Sequence, residues 1–196
     1  MKTLGLTIAV VMIATLAVTA GPISAATSSG PYYPTPSWDQ QLACASAANC
    51  PRFIVLSNWI DLAHPSGGAA VLDRETGLVW EQSPETTSYE WDTGNATSAC
   101  ANKNVGGRKG WRLPSIVELA SLIDPTVAAP GPTLPAGHPF TNVQHNGGDY
   151  WSATTQTFFP TAAWTASFFD GVVHGFIKTG MWPVWCVRGG MNADQY

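Results

Sequence analysis

Residues 115–118 read Ser-Ile-Val-Glu, and few four-residue patterns limit a chain as tightly. Serine followed three residues later by glutamate is a capping box. The Ser115 hydroxyl accepts from the Glu118 N–H, and the Glu118 carboxylate accepts from the Ser115 N–H. Pro114 keeps the approach extended, and Asp124-Pro125 closes the element, because a residue before proline is biased out of the α region. Between these stops Ile116, Leu119, Leu122 and Ile123 recur at helical spacing as one apolar stripe. The pattern predicts a short helix over residues 116–123 with one buried face. The rest of the chain reads as strands and loops around this helix and one earlier helix, so the class is α+β.

Arg52–Leu56 follows a proline and reads as a first strand, and residues 59–68 as loop. Residues 70–73 and 78–81 are short apolar runs separated by Arg74-Glu75-Thr76-Gly77, which predicts a hairpin with a four-residue loop. From Trp91 a second helical stretch runs to about Lys103, capped by Asp92 or Thr93, with Ala96, Ala99 and Cys100 on one face. The glycosylation sequon Asn95-Ala96-Thr97 falls inside it and reads as chance. Residues 127–148 are rich in proline and glycine and predict a long loop of the kind that is often functional. Residues 150–154 resume a strand, residues 163–169 and 172–177 flank a predicted type I′ turn at Asp170-Gly171, and residues 185–188 form the last strand.

The N-terminal stretch reads as an address. Lys2, an apolar run from Leu4 to Ala20 and the small residues Ser24-Ala25-Ala26 describe a secretory signal peptide over residues 1–26. The expected location is secreted or periplasmic, with no membrane span once the signal is removed. Residues 27–51 follow as a Pro/Ser-rich arm, then a single domain over 52–190 and a polar tail over 191–196. A formal charge of −4 with no basic run leaves no electrostatic footprint for nucleic acid. An oxidising compartment makes disulfides the natural use of four cysteines, which allow three pairings. Cys44 with Cys50 and Cys100 with Cys186 is the favoured one; no C-x-x-C or His-x-His spacing argues for metal.

Read together, the motifs form an ordered series. Val-Leu-Asp-Arg-Glu-Thr-Gly-Leu-Val-Trp (71–80) precedes Trp91 and Cys100. Gly-Trp-Arg-Leu-Pro-Ser-Ile-Val-Glu-Leu (110–119), Tyr-Trp-Ser-Ala-Thr (150–154) and Trp-Cys-Val-Arg-Gly (185–189) follow. This series resembles the bacterial Lcl C-terminal domain family, over residues 53–190. The resemblance implies a C-type-lectin-like fold: two helices packed on a twisted, mainly antiparallel sheet with long loops, and first and last strands close together. It also implies a bridge from the first helix to a late strand, which matches Cys100 with Cys186. Members are secreted or surface proteins; one is the glycan-binding tip of a collagen-like adhesin. The calcium motifs Glu-Pro-Asn, Gln-Pro-Asp and Trp-Asn-Asp are not in this sequence, nor is a Gly-X-Y stalk. The resemblance therefore carries over no cofactor and no individual glycan-binding residue.

Catalysis finds little support. There is no G-x-S-x-G elbow, and His64, His138, His145 and His174 stand apart. Formylglycine-generating enzymes share the broad fold but need a reactive cysteine pair; Cys186 is expected in a bridge, and Cys44 and Cys50 lie outside the matched region. Asp73, Glu75 and Glu81 are expected to be solvated or to pair with Arg74 or Arg112. Trp80, Trp111, Trp151 and Trp185 are expected in the core, Pro114 and Glu118 at the helix entry, and Arg112 and Arg188 as loop anchors. Candidate ligand contacts are Tyr89, His138, Phe140 and His145, with Tyr150, Phe158, Phe159 and Trp182, several of them in loops. The expectation is a non-catalytic recognition module for a glycan or a surface protein. The alternative is a structural component of an envelope or appendage assembly.

Overall fold

The computed structural model describes residues 52–146 and 148–189. The expected signal peptide, the expected arm with Cys44 and Cys50, and the expected tail lie outside the described residues. In chain order the elements are β1 (Phe53–Val55), β2 (Ala70–Asp73), β3 (Val79–Glu81), β4 (Ser88–Glu90), α1 (Asn95–Ala101), β5 (Trp111–Arg112), α2 (Ile116–Ala120), β6 (Asp149–Thr155), β7 (Ala162–Ser167), β8 (Val173–Ile177), β9 (Met181–Pro183) and β10 (Val187–Arg188). The class is α+β. A five-stranded sheet runs β1-β2-β3-β10-β5, a three-stranded sheet runs β6-β7-β8, and β4 pairs with β9, all antiparallel.

Period-two alternation sorts the side chains of the larger sheet into two cores. Val71, Trp80 and Val187 lie opposite one another in register and enter the first core with Leu119, Leu122, Phe140, Phe168 and Trp185. The next row sets Val79 beside Arg188 and Trp111 and faces the second core, which holds Ala96, Cys100 and Val184. The smaller sheet is shared in the same way, Tyr150 reaching the first core and Trp151 the second. Cys100 on the buried face of α1 bonds Cys186, with Cα atoms 5.4 Å apart.

The capping box forms as its pattern predicts. Ser115 Oγ accepts from the Glu118 N–H at 3.2 Å, and Glu118 Oε2 accepts from the Ser115 N–H at 2.9 Å. The helix stops at Ala120 rather than Ile123. Its last turn tightens, Leu122 and Ile123 donating to the carbonyls three residues back, and both side chains still reach the core. α1 also starts later than expected, capped by Gly94 and by neither Asp92 nor Thr93. The N–H groups of Trp91 and Asp92 instead bond the Lys178 carbonyl and dock this entry on the β8–β9 turn.

Two hairpins share one loop. In β2–β3 the Asp73 N–H donates to Leu78 O and the Gly77 N–H to Asp73 O; in β7–β8 Ser167, Val172 and Gly171 repeat the scheme. Each loop has four residues and ends on a left-handed glycine, Gly77 at φ 71° and Gly171 at φ 75°. The expected two-residue turn at Asp170-Gly171 needs positive φ at both positions, and only Gly171 has it. The cause is Phe168, fully buried in the first core, which leaves β7 one residue too early for a tight turn.

Asp73, Glu75 and Glu81 are paired rather than solvated, and Arg52 and Lys103 are among their partners. Buried Arg52 donates to both Asp73 oxygens at 3.1 and 3.0 Å and to Ser121 O at 2.7 Å, and its Nε lies 3.2 Å from Glu75 Oε2. Glu81 meets Lys103 at 2.8 Å and accepts from the Cys186 N–H at 2.9 Å. Burial pushes the Glu81 carboxyl above its usual range. Burial acts to lower Lys103, but Glu81 and Glu85 outweigh it and hold the ammonium above its ordinary value.

Candidate functional site

Residues 57–69 and 105–110 lie far apart in sequence and are pinned together. Asp61 accepts from the His64 N–H at 2.8 Å and contacts its Nδ1 at 2.9 Å through Oδ1, while Oδ2 accepts from the Gly106 N–H at 3.0 Å. Burial opposes the Asp61 charge, but these hydrogen bonds prevail and hold its pKa below the usual range. Gly106 has φ 59° and lies against Trp59, where a Cβ would strike the indole's own Cβ. Trp59 is half-buried, its edge on Trp111 at 6.1 Å between centroids, and Trp111 donates to Arg108 O at 2.8 Å.

This arrangement gathers cations. The guanidinium carbons of Arg108 and Arg188 stand 5.8 and 5.7 Å from the Trp59 ring centroid. Arg188 Nε donates to Lys109 O at 2.8 Å, which fixes that arginine beside the Lys109 backbone. Among the described residues none of Arg108, Lys109 and Arg188 joins an ion pair, whereas Arg52, Lys103 and Arg112 each hold a carboxylate. The sequence has no basic run, yet the fold sets two arginines over one indole, with Lys109 next to one of them in the chain. Unpaired guanidinium groups of this kind offer bidentate donors to a carboxylate, sulfate or phosphate oxygen pair. Sequence reading missed Trp59, Arg108 and Lys109; the string Arg-Lys-Gly-Trp-Arg at 108–112 was the available signal.

The residues expected to touch a ligand separate into three groups. Phe140 and Tyr150 lie in the first core, their rings packed at 4.9 and 5.6 Å on Trp185, so their loop or strand position does not expose them. His138 stacks on Phe140, and burial pushes its pKa down; His145 Nδ1 lies 3.1 Å from Val143 O. Tyr89 and Trp182 are cross-strand partners in the β4–β9 ribbon, half-buried over the second core. Phe158 and Phe159 protrude from the β6–β7 turn, 91% and 65% exposed. Among the described residues none of these candidates makes a ring contact or hydrogen bond with Trp59, Arg108 or Arg188.

Trp80, Trp111, Trp151 and Trp185 are buried, and Pro114 O accepts from the Ala153 N–H at 2.7 Å. Arg112 grips both Glu118 oxygens at 2.7 and 2.6 Å and reaches Gly189 O at 2.8 Å, tying the helix entry to the chain after β10. Trp164 of β7 is the surprise: it is half-buried and packs in neither core.

Among the described residues no helix is long and apolar enough to cross a membrane. Among curated proteins, none matches the chain. A family model described as the Lcl C-terminal domain matches residues 69–188, which takes in β2 through β10, both helices and the Cys100–Cys186 bridge. By that match over more than half its length, the chain belongs to the Lcl C-terminal domain family.

Proposed function

We propose that this protein is an extracytoplasmic, non-catalytic recognition module of C-type-lectin-like fold that holds an acidic ligand, glycan or protein segment, against Trp59, Arg108, Lys109 and Arg188. One observation carries the reading: two arginines, Arg108 and Arg188, stand over a half-buried indole, and among the described residues neither they nor the adjacent Lys109 joins an ion pair. The indole supplies a flat apolar surface for a sugar ring or side chain, and the cations supply charge-assisted hydrogen bonds. Arg188 is already immobilised by the Lys109 carbonyl, so binding orders little that is not ordered beforehand. The fold assignment is supported by a first helix bridged beside the last strand, which lies in the same sheet as β1. Export is supported by the signal-like N-terminus and is compatible with that disulfide.

Calorimetry with dextran sulfate against uncharged dextran tests it. The protein should bind the sulfated polymer, more weakly as salt rises, and leave dextran unbound. Arg108→Ala/Lys109→Ala should weaken binding at least about tenfold. Equal affinity in that variant, or turnover of a substrate with defined kinetics, overturns the reading. The alternative role, a component of an assembly, is favoured by a different observation: among the described residues the outer edge of β8 has no partner strand.

A further inference from the structure

The smaller sheet ends on β8, which pairs only with β7 among the described residues. Bonds at both ends of the ladder fix its phase: Ser167 N–H donates to Val172 O, and Lys178 N–H to Thr161 O. Alternate residues of an antiparallel strand share one side. Val172, His174, Phe176 and Lys178 therefore address β7, and the N–H and C=O groups of Val173, Gly175 and Ile177 point outward. Among the described residues only the Ile177 carbonyl has a partner, the Gly180 N–H at 2.8 Å, and a carbonyl oxygen accepts a second bond.

Edge strands are normally blunted by charge, proline, a bulge or a covering element. Residues 172–177 read Val-Val-His-Gly-Phe-Ile, with no Lys, Glu, Asp or Pro, and their pairing with β7 is regular. Ile177 is 64% exposed at one end of the strand, and Val172 is exposed at the other. The edge is thus a row of backbone donors and acceptors flanked by apolar side chains.

We infer that β8 is a self-association edge: two copies pair β8 with β8, antiparallel about a two-fold axis at Gly175, and join two three-stranded sheets into one continuous sheet. The strand is complementary to itself in this register. Gly175 faces Gly175 of the second copy, and the two exchange both N–H···O bonds. Val173 faces Ile177 of the second copy, apolar against apolar. No like charges oppose each other between residues 172 and 177, and the Asp170 end of one strand comes to the Lys178 end of the other. The Gln156 amide already fills the space that a Cβ at position 175 would take, so the strand centre presents backbone to the second copy. A foreign strand could use the same donors but would not supply this match on both sides of the axis.

Sedimentation of the purified protein over a wide concentration range, with residue-resolved amide exchange, tests the inference. A monomer–dimer equilibrium is expected. Exchange at Val173, Gly175 and Ile177 should slow as protein concentration rises, while the Gly171 amide, bonded to Ser167 O within its own turn, stays unchanged. Ile177→Lys should remain monomeric where the parent is dimeric; Val172→Lys serves as a second variant if the first fails to fold. Both should keep the parent's affinity per chain for dextran sulfate, since Arg108 and Trp59 lie elsewhere, so failure here is distinguishable from failure of the proposed function. A monomer at every concentration overturns the inference. So does a dimer whose three amides exchange as freely as in dilute solution.

Discussion

The two main sheets are built on opposite principles. The five-stranded sheet gathers segments from Phe53 to Arg188 and closes them with a disulfide and buried ion pairs: Cys100 to Cys186, Arg52 to Asp73, Glu81 to Lys103. The three-stranded sheet is a meander of consecutive strands from Asp149 to Ile177, and among the described residues no ion pair or disulfide falls within it. Long-range closure costs chain entropy before any contact repays it, so the first sheet needs cross-links where the second needs only turns. The cross-linked sheet carries the charged surface, and the meander leaves an edge open. Cross-linked closure and an open edge are therefore assigned to different parts of one fold.

The contrast breaks most visibly at the disulfide. Cys100→Ser removes a link across a sequence separation of 86 residues, and the loop-entropy model puts its contribution at about 4–5 kcal/mol. Urea unfolding should show a loss of that order. A loss under about 1 kcal/mol would mean that the ion pairs and packing close the first sheet unaided.

Arg52→Ala comes next. It leaves Asp73 buried without its main partner and frees Ser121 O, a change expected to cost about 3–5 kcal/mol. Replacing Arg52 and Asp73 together by apolar residues should recover part of that loss, because the desolvation of both charges disappears as well. If the double variant is no better than Arg52→Ala, the pair is not what ties β1 to β2.

A smaller effect should appear on acidification. His138 stacks on Phe140 at the first core, and burial holds its pKa below 6.5. The unfolded chain therefore binds a proton at a pH where the folded chain does not. The His138 contribution is fully present above pH 6.5 and is lost as pH falls from there through the folded value. His138→Phe should flatten this part of the stability profile measured between pH 7.5 and 5. An unchanged slope would assign the acid sensitivity to groups other than His138.

What the sequence disclosed follows the same division. The capping box and the Gly77 hairpin are local, and they stand where their patterns put them. The pairing of Arg52 with Asp73 and Ser121 leaves no periodic trace, because its members are brought together only by the sheet order. Trp59, Arg108 and Arg188 likewise meet through a close approach at Gly106. The Asp170-Gly171 turn was misread because the core claims Phe168, a tertiary demand that turn chemistry cannot register. Aromatic residues in loops look alike whether they turn inward, as Phe140 does, or outward, as Phe158 does.

That last ambiguity supports the mildest and most discriminating substitution. Phe158 and Phe159 stand at the tip of the meander, outside both cores, so Phe158→Ser/Phe159→Ser removes exposed apolar surface and no packing. Stability should stay within about 0.5 kcal/mol of the parent, the range for surface changes away from caps and buried groups. Affinity for dextran sulfate should also be unchanged, because these rings sit on the meander while Arg108 and Lys109 precede β5 and Arg188 lies in β10 of the other sheet. A large stability loss would mean that the tip is packed and the meander is not open. Intact stability with lost binding would move the recognition surface from Trp59 to the meander, and the division between a charged closed sheet and an open neutral one would have to be redrawn around that tip.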